Sequence, residues 1–192
     1  VALAGACCGL VSAAFVATDH LVTRTFARWV AWPPARPLIG GALIVALTFA
    51  VGTRAYNGLS TGLAELSLVG GHVATWAFAL KLVFTAVTLG SGFVGGEVTP
   101  LFVIGATLGS ALAAPLGVPP ELMAALGFVA VFAGAANTPL ACTIMGVELF
   151  GSGAVPYFAV ACVLSYVFSG HSGIYRTQRH SGTKVPSRYA PP

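Results

Sequence analysis

The side chains best placed for chemistry gather in one short stretch, Gly90-Ser91-Gly92-Phe93-Val94-Gly95-Gly96-Glu97-Val98-Thr99-Pro100. It carries the carboxylate of Glu97 and the hydroxyls of Ser91 and Thr99 on a glycine-rich backbone that ends in a proline. Pro100 suits the first turn of a helix, where a missing N–H costs nothing, and Thr99 before it suits the N-cap. The spacing therefore predicts a helix starting at Pro100, with unpaired amides and a positive dipole end at its start. Amides, a carboxyl and hydroxyls converging in this way are chemistry for holding an anion. A carboxylate in a loop at membrane depth is a functional group by default. Thr99 as a plain cap and Ser91 as a turn former are the structural alternatives.

The elements that must position this loop are apolar. Hydrophobic residues make up 57% of the sequence and charged residues 7%, against about 25% charged in an average soluble domain. That composition predicts an integral membrane protein. The net charge of +4 does not indicate nucleic-acid binding, because the basic residues are few and spread over loops and one tail. The long Ala/Leu/Val/Gly-rich runs are helical in character and lack the alternation of a membrane barrel. Cys7, Cys8, Cys142 and Cys162 lie inside apolar runs without metal-ligand spacing, so they read as small buried hydrophobes and no metal or cofactor site is expected.

Along the chain, a first helix extends from residue 1 to about 30, with Gly5 and Gly9 at a small-xxx-small spacing that lets helices approach closely. Trp29 and Trp32 fit an interfacial aromatic belt, and Pro33-Pro34 breaks the chain. Helices are expected over 38–52, 63–69, 73–89, 101–116, 122–136, 139–150 and 155–169. Asn137-Thr138-Pro139 is a second cap-plus-proline start in an apolar setting, and Gly170-His171-Ser172-Gly173 is a third break. Lys81 interrupts the run at 73–89. An intramembrane lysine needs a partner, and Glu148 is the expected structural ion-pair partner, with Glu97 as the other candidate. The basic residues after 175 suggest a cytoplasmic C-terminus by the positive-inside tendency, and residues 181–192 read as a disordered tail. Short, interrupted helices of unequal length point to a transporter or channel rather than a bundle of simple spans.

At Gly96-Glu97-Val98-Thr99-Pro100 the sequence resembles the CLC family of anion channels and anion/proton antiporters, whose second-half signature is Gly-x-Phe-x-Pro at the start of a half-helix facing the central anion. Val98 stands where Phe is usual. Asn137-Thr138-Pro139-Leu140 is similar to the Ala-Pro-Leu start of a later helix, Val147-Glu148-Leu149 to that helix's acidic end, and Gly173-Ile174-Tyr175 to the opening of the final helix, where the family places an anion-coordinating tyrosine. Glu97 and Thr99 within the loop resemble the fluoride-selective branch, which exports fluoride in exchange for protons. The resemblance implies an all-α membrane fold, the C-terminal half of an inverted-repeat CLC subunit over residues 1–180. It implies a homodimer in the cell membrane, with fluoride or chloride and protons as its cargo. Val1, lacking Met or a charged flank, fits a partial chain, and the other half, with its gating glutamate, is expected upstream.

On this reading Glu97, Val98, Thr99 and Tyr175 bind the anion and Glu97 also couples protons, while Ser91, Gly92, Phe93, Gly95 and Gly96 line the path or support the loop. Fluoride is small and strongly hydrated, so a site must replace its water with short, strong donors. Amides near Val98 supply a dipole end, and the Thr99 hydroxyl and Tyr175 phenol can each donate one hydrogen bond. Glu97 donates only when protonated, which burial and a nearby anion both favour. Three rival readings remain open. One is a chloride-type CLC protein, and another is a non-transporting membrane scaffold. The third is an intramembrane enzyme pairing Glu97 with His171, which no nucleophile or metal ligand completes.

Overall fold

The computed structural model describes residues 1–170 and 173–175. The described residues form eight α-helices and no strand: α1 (Ala2–Trp29), α2 (Ala35–Val51), α3 (Thr61–Leu68), α4 (Ala77–Gly90), α5 (Val98–Leu116), α6 (Pro120–Ala136), α7 (Pro139–Phe150) and α8 (Val155–Phe168). A single 3-10 turn at Ser152–Ala154 joins α7 to α8. At about 1.5 Å per residue α4 and α8 are only ~21 Å long and α7 ~18 Å, short of a ~30 Å hydrocarbon core. By length and composition α1 and α5 are long and apolar enough to cross a membrane. The expected His171, the final helix beyond Tyr175 and the tail at 181–192 lie outside the described residues.

Helices α2, α3 and α6 start two or three residues before the expected positions, and two further boundaries depart in ways that bear on the site. Helix α4 starts at Ala77 rather than 73, because the chain first turns, with Ala77 N donating to Ala74 O at 2.9 Å. Helix α5 starts at Val98, so Glu97 and not Thr99 occupies the cap position, and Pro100 is the third helical residue. Proline is tolerated there because the third amide, like the first two, has no carbonyl one turn back to bond. At α7 the expected arrangement holds, with Thr138 as N-cap and Pro139 at the first helical position.

Helices α5 and α6 form the centre. They run antiparallel, since Gly105 meets Gly127 and Gly109 meets Met123. At both crossings the backbones touch, and a Cβ on Gly105 would occupy the space of the Gly127 carbonyl. Phe102 stacks on Phe128 at 4.3 Å and meets Phe132 edge-on at 5.1 Å. Helix α1 packs on α8 through the predicted small residues: Gly5 against Ala161, and Gly9 against Ser165 and Phe168. Ser12 Oγ donates to Val131 O at 2.5 Å, tying α1 to α6. The core of Phe15, Leu101, Ile104, Leu126, Val129 and Phe158 is fully enclosed. Association of apolar helices in lipid relies on such close packing, because lipid is as apolar as the side chains.

Gly105→Ala should therefore cost about 1–3 kcal/mol by overpacking and lower the thermal midpoint of the detergent-solubilised protein. Gly153→Ala, whose added Cβ meets no atom within 4 Å, should leave the midpoint unchanged.

Candidate functional site

The predicted loop lies where α4 hands over to α5. Helix α4 ends at Gly90, and Ser91 is fully buried with its Oγ donating to Thr88 O at 3.0 Å. The Ser91 hydroxyl thus closes the end of α4. Gly92 turns the chain with φ of 96°, a left-handed conformation open to glycine. Phe93 and Val94 are exposed, as are Gly95 and Gly96. The chain then enters α5 with Glu97, Val98 and Thr99 half-buried and Pro100 buried.

The first backbone bond of α5 runs from Leu101 N to Glu97 O at 3.2 Å. The amides of Val98 and Thr99 precede it and have no helical carbonyl to bond. Glu97, Val98 and Thr99 are therefore together at the positive end of a 19-residue helix.

Tyr175 lies on the segment that follows α8. Ile174 N donates to Ala135 O at 3.0 Å, which docks the segment after α8 onto the C-terminal end of α6. Because α5 and α6 are antiparallel, that end of α6 is also the end at which α5 begins. Tyr175 is half-exposed there. Asn137, in the left-handed conformation with φ of 58°, closes α6 at the same end and turns the chain into α7. Three chain breaks thus face one end of the α5–α6 pair: the loop before α5, the turn into α7, and the segment after α8.

The expected Lys81–Glu148 ion pair is corrected by the structure. Lys81 is 1% exposed, and its Nζ donates to Tyr56 O at 3.2 Å, Gly58 O at 2.5 Å and Ser60 Oγ at 2.9 Å. An ammonium has three protons to donate, and these neutral oxygens take all three. Glu148 is exposed on α7. The lysine fastens the segment between α2 and α3 to α4.

Beside Lys81 is a cavity of about 320 Å³, lined among others by Tyr56, Lys81, Thr85, Thr88, Phe93 and Gly95. Thr85 was missed by sequence reasoning. Its signal was the spacing of Lys81, Thr85 and Thr88, which places three polar side chains on one face of an apolar helix. No group of His, Cys, Asp and Glu able to hold a metal ion is present among the described residues. The four cysteines are free, and all but Cys7 are buried.

A family model described as voltage gated chloride channel matches residues 1–170. The chain belongs to this family. Its members are membrane-embedded ion channels and antiporters. Among relatives, the chain is 47% identical over 189 residues to a chloride/fluoride channel protein of Pseudomonas syringae pv. tomato, covering 96% of this chain and 42% of that protein. It is 29% identical over 170 residues to a voltage-gated ClC-type chloride channel of Salmonella dublin, covering 80% of this chain and 40% of that one. Among solved structures, a CLC-type fluoride/proton antiporter superposes with a TM-score of 0.85 at 38% identity, covering 88% of this chain and 42% of that chain. The all-helical architecture is thus the CLC fold, and the chain spans less than half the length of these relatives.

The position of the loop depends on Gly40 of α2, where a Cβ would occupy the space of the Ser91 side chain. Gly40→Ala should push Ser91 and the start of the loop outward. The expected effect is a loss of about 1–3 kcal/mol, seen as a lower thermal midpoint, whereas Gly62→Ala, in open space, should be neutral.

Proposed function

We propose that this chain is the C-terminal half of a CLC subunit that exports fluoride in exchange for protons, and that the start of α5 forms its half of the anion site. The observation that carries the reading is the grouping of Glu97 with the Val98 and Thr99 amides, which have no helical carbonyl to bond, at one helix start. The names of the 47% identical relative and of the superposing antiporter both include fluoride, which supports the choice of ion.

Fluoride leaves water only for donors of comparable strength. The Val98 and Thr99 amides and the Thr99 hydroxyl offer them from one side, and the Tyr175 phenol from the segment docked on α6. A carboxylate at Glu97 would repel the ion, but a protonated carboxyl would donate to it. Proton binding at Glu97 and anion binding are then linked at one site, and the opposite directions of the two movements fall to the gate in the rest of the subunit. Gly92, Gly95 and Gly96 let the backbone make the approach without side chains in the way, and Phe93 lines the approach. The rest of the subunit would supply the opposite wall of the site and a gate. In this proposal the protein is a multi-pass membrane homodimer with its C-terminus in the cytoplasm.

A chloride-type activity is the second reading, supported by the chloride channel among the relatives. Ion-selective electrodes on proteoliposomes carrying the full-length protein separate the two. The expected result is fluoride release well above chloride release, with proton uptake. Glu97→Gln keeps a hydrogen-bond donor but cannot release a proton. It should retain fluoride release while proton uptake per fluoride falls by about an order of magnitude, because the amide has no proton to give up. Normal coupled movement of both ions in Glu97→Gln removes the residue from the mechanism.

A further inference from the structure

The cavity beside Lys81 is not accounted for by the site at the start of α5. It lies between α2, the segment at 56–60, α4 and the loop, and it ends against Gly95, Gly96 and Pro100. Neither Glu97 nor Thr99 lines it.

Two of its walls are chemically unusual for an apolar body. Lys81 carries a buried positive charge, and the three acceptors on its Nζ are neutral oxygens. Carbonyl and hydroxyl dipoles satisfy its hydrogen bonds but leave its charge uncancelled, so the ammonium projects a positive potential into the adjoining space. Four residues on, Thr85 is 5% exposed, and among the described residues no hydrogen-bond partner reaches its Oγ1. A buried hydroxyl is normally paired. The other hydroxyl on this face is already used, since Thr88 Oγ1 donates to Phe84 O at 2.7 Å.

We propose that this cavity is a second halide site, a waiting position where a partly hydrated ion pauses beside Lys81 with the Thr85 hydroxyl as its direct ligand. The inference rests on the reading of the chain as a halide transporter and adds a station to the same route. The volume is far larger than a bare halide. At about 30 Å³ per water it takes an ion together with several waters. Lys81 supplies the long-range attraction, and Thr85 replaces one water of the shell. On the side toward α5 the cavity is bounded by Gly95, Gly96 and Pro100. Removing the shell in two stages lowers the barrier of removing it in one, because each lost water is exchanged for a protein donor. The mostly apolar remainder of the wall holds the ion loosely, as a station on a conduction route requires.

The test uses the full-length protein containing this sequence and two probes. Crystals soaked in sodium bromide should show an anomalous peak within hydrogen-bond distance of Thr85 Oγ1, and Thr85→Val, of equal size, should abolish it. In proteoliposomes Thr85→Val should raise the KM for fluoride roughly tenfold, the effect of losing one hydrogen bond to a charged group, while Thr85→Ser, which keeps the hydroxyl, should restore it. A cavity without bromide overturns the proposal, as does equal impairment in Thr85→Ser and Thr85→Val, which would make the residue a packing element. The peak is read without transport. A bromide peak at Thr85 in a protein that releases no fluoride would therefore leave this site standing and remove the proposed function instead.

Discussion

The structure depends on one constraint, that a helix leaves its first amides without carbonyls one turn back to bond. In water such groups are hydrated at no loss. In a low-dielectric interior each unpaired amide is costly. Helix α5 begins in this way, with Pro100 removing one of the orphan donors and Val98 and Thr99 keeping theirs. A ligand that accepts hydrogen bonds and carries negative charge would relieve that cost, which is why the proposed anion site is placed at this helix start.

The rest of the molecule holds that helix start in place. The glycine crossings at Gly105 and Gly109 fix α5 on α6 backbone to backbone, which leaves little freedom for α5 to slide. The antiparallel pairing puts the end of α6 beside the start of α5. The Ile174 amide on Ala135 then brings the chain after α8 to the same place. Lys81 holds the segment at 56–60 against α4 from the other side. Glycines do two jobs here. At 105 and 127 they permit contact between helices, and at 92 a conformation that lets the chain leave α4 and return as α5.

Much of this was legible in the sequence. The broken-helix pattern, the second start at Thr138-Pro139, and the small-residue face of α1 all follow from local chemistry that the fold does not override. The start of α5 was placed two residues late because proline is admitted anywhere in a first helical turn, so its position does not fix the boundary. The partner of Lys81 was misread for a different reason. Sequence shows acidic side chains but not backbone carbonyls, and the carbonyls of Tyr56 and Gly58 reach the lysine only once α2 and α4 have packed. Gly127, the counterpart of Gly105, was equally invisible, since nothing local says which face of α6 it occupies. Glu97, Val98 and Thr99 stay together because they are adjacent in sequence, whereas Tyr175 reaches their end of the molecule through tertiary packing alone.

The most direct measurement is the separation of Thr99 Oγ1 from Tyr175 Oη in an experimental structure of the full-length protein with fluoride bound. If one ion accepts from both, the two oxygens should lie about 5–6 Å apart, twice the length of a single hydrogen bond, with the ion between them and the α5 amides behind it. Oxygens well beyond that span, or a Tyr175 turned out against lipid, would contradict the account.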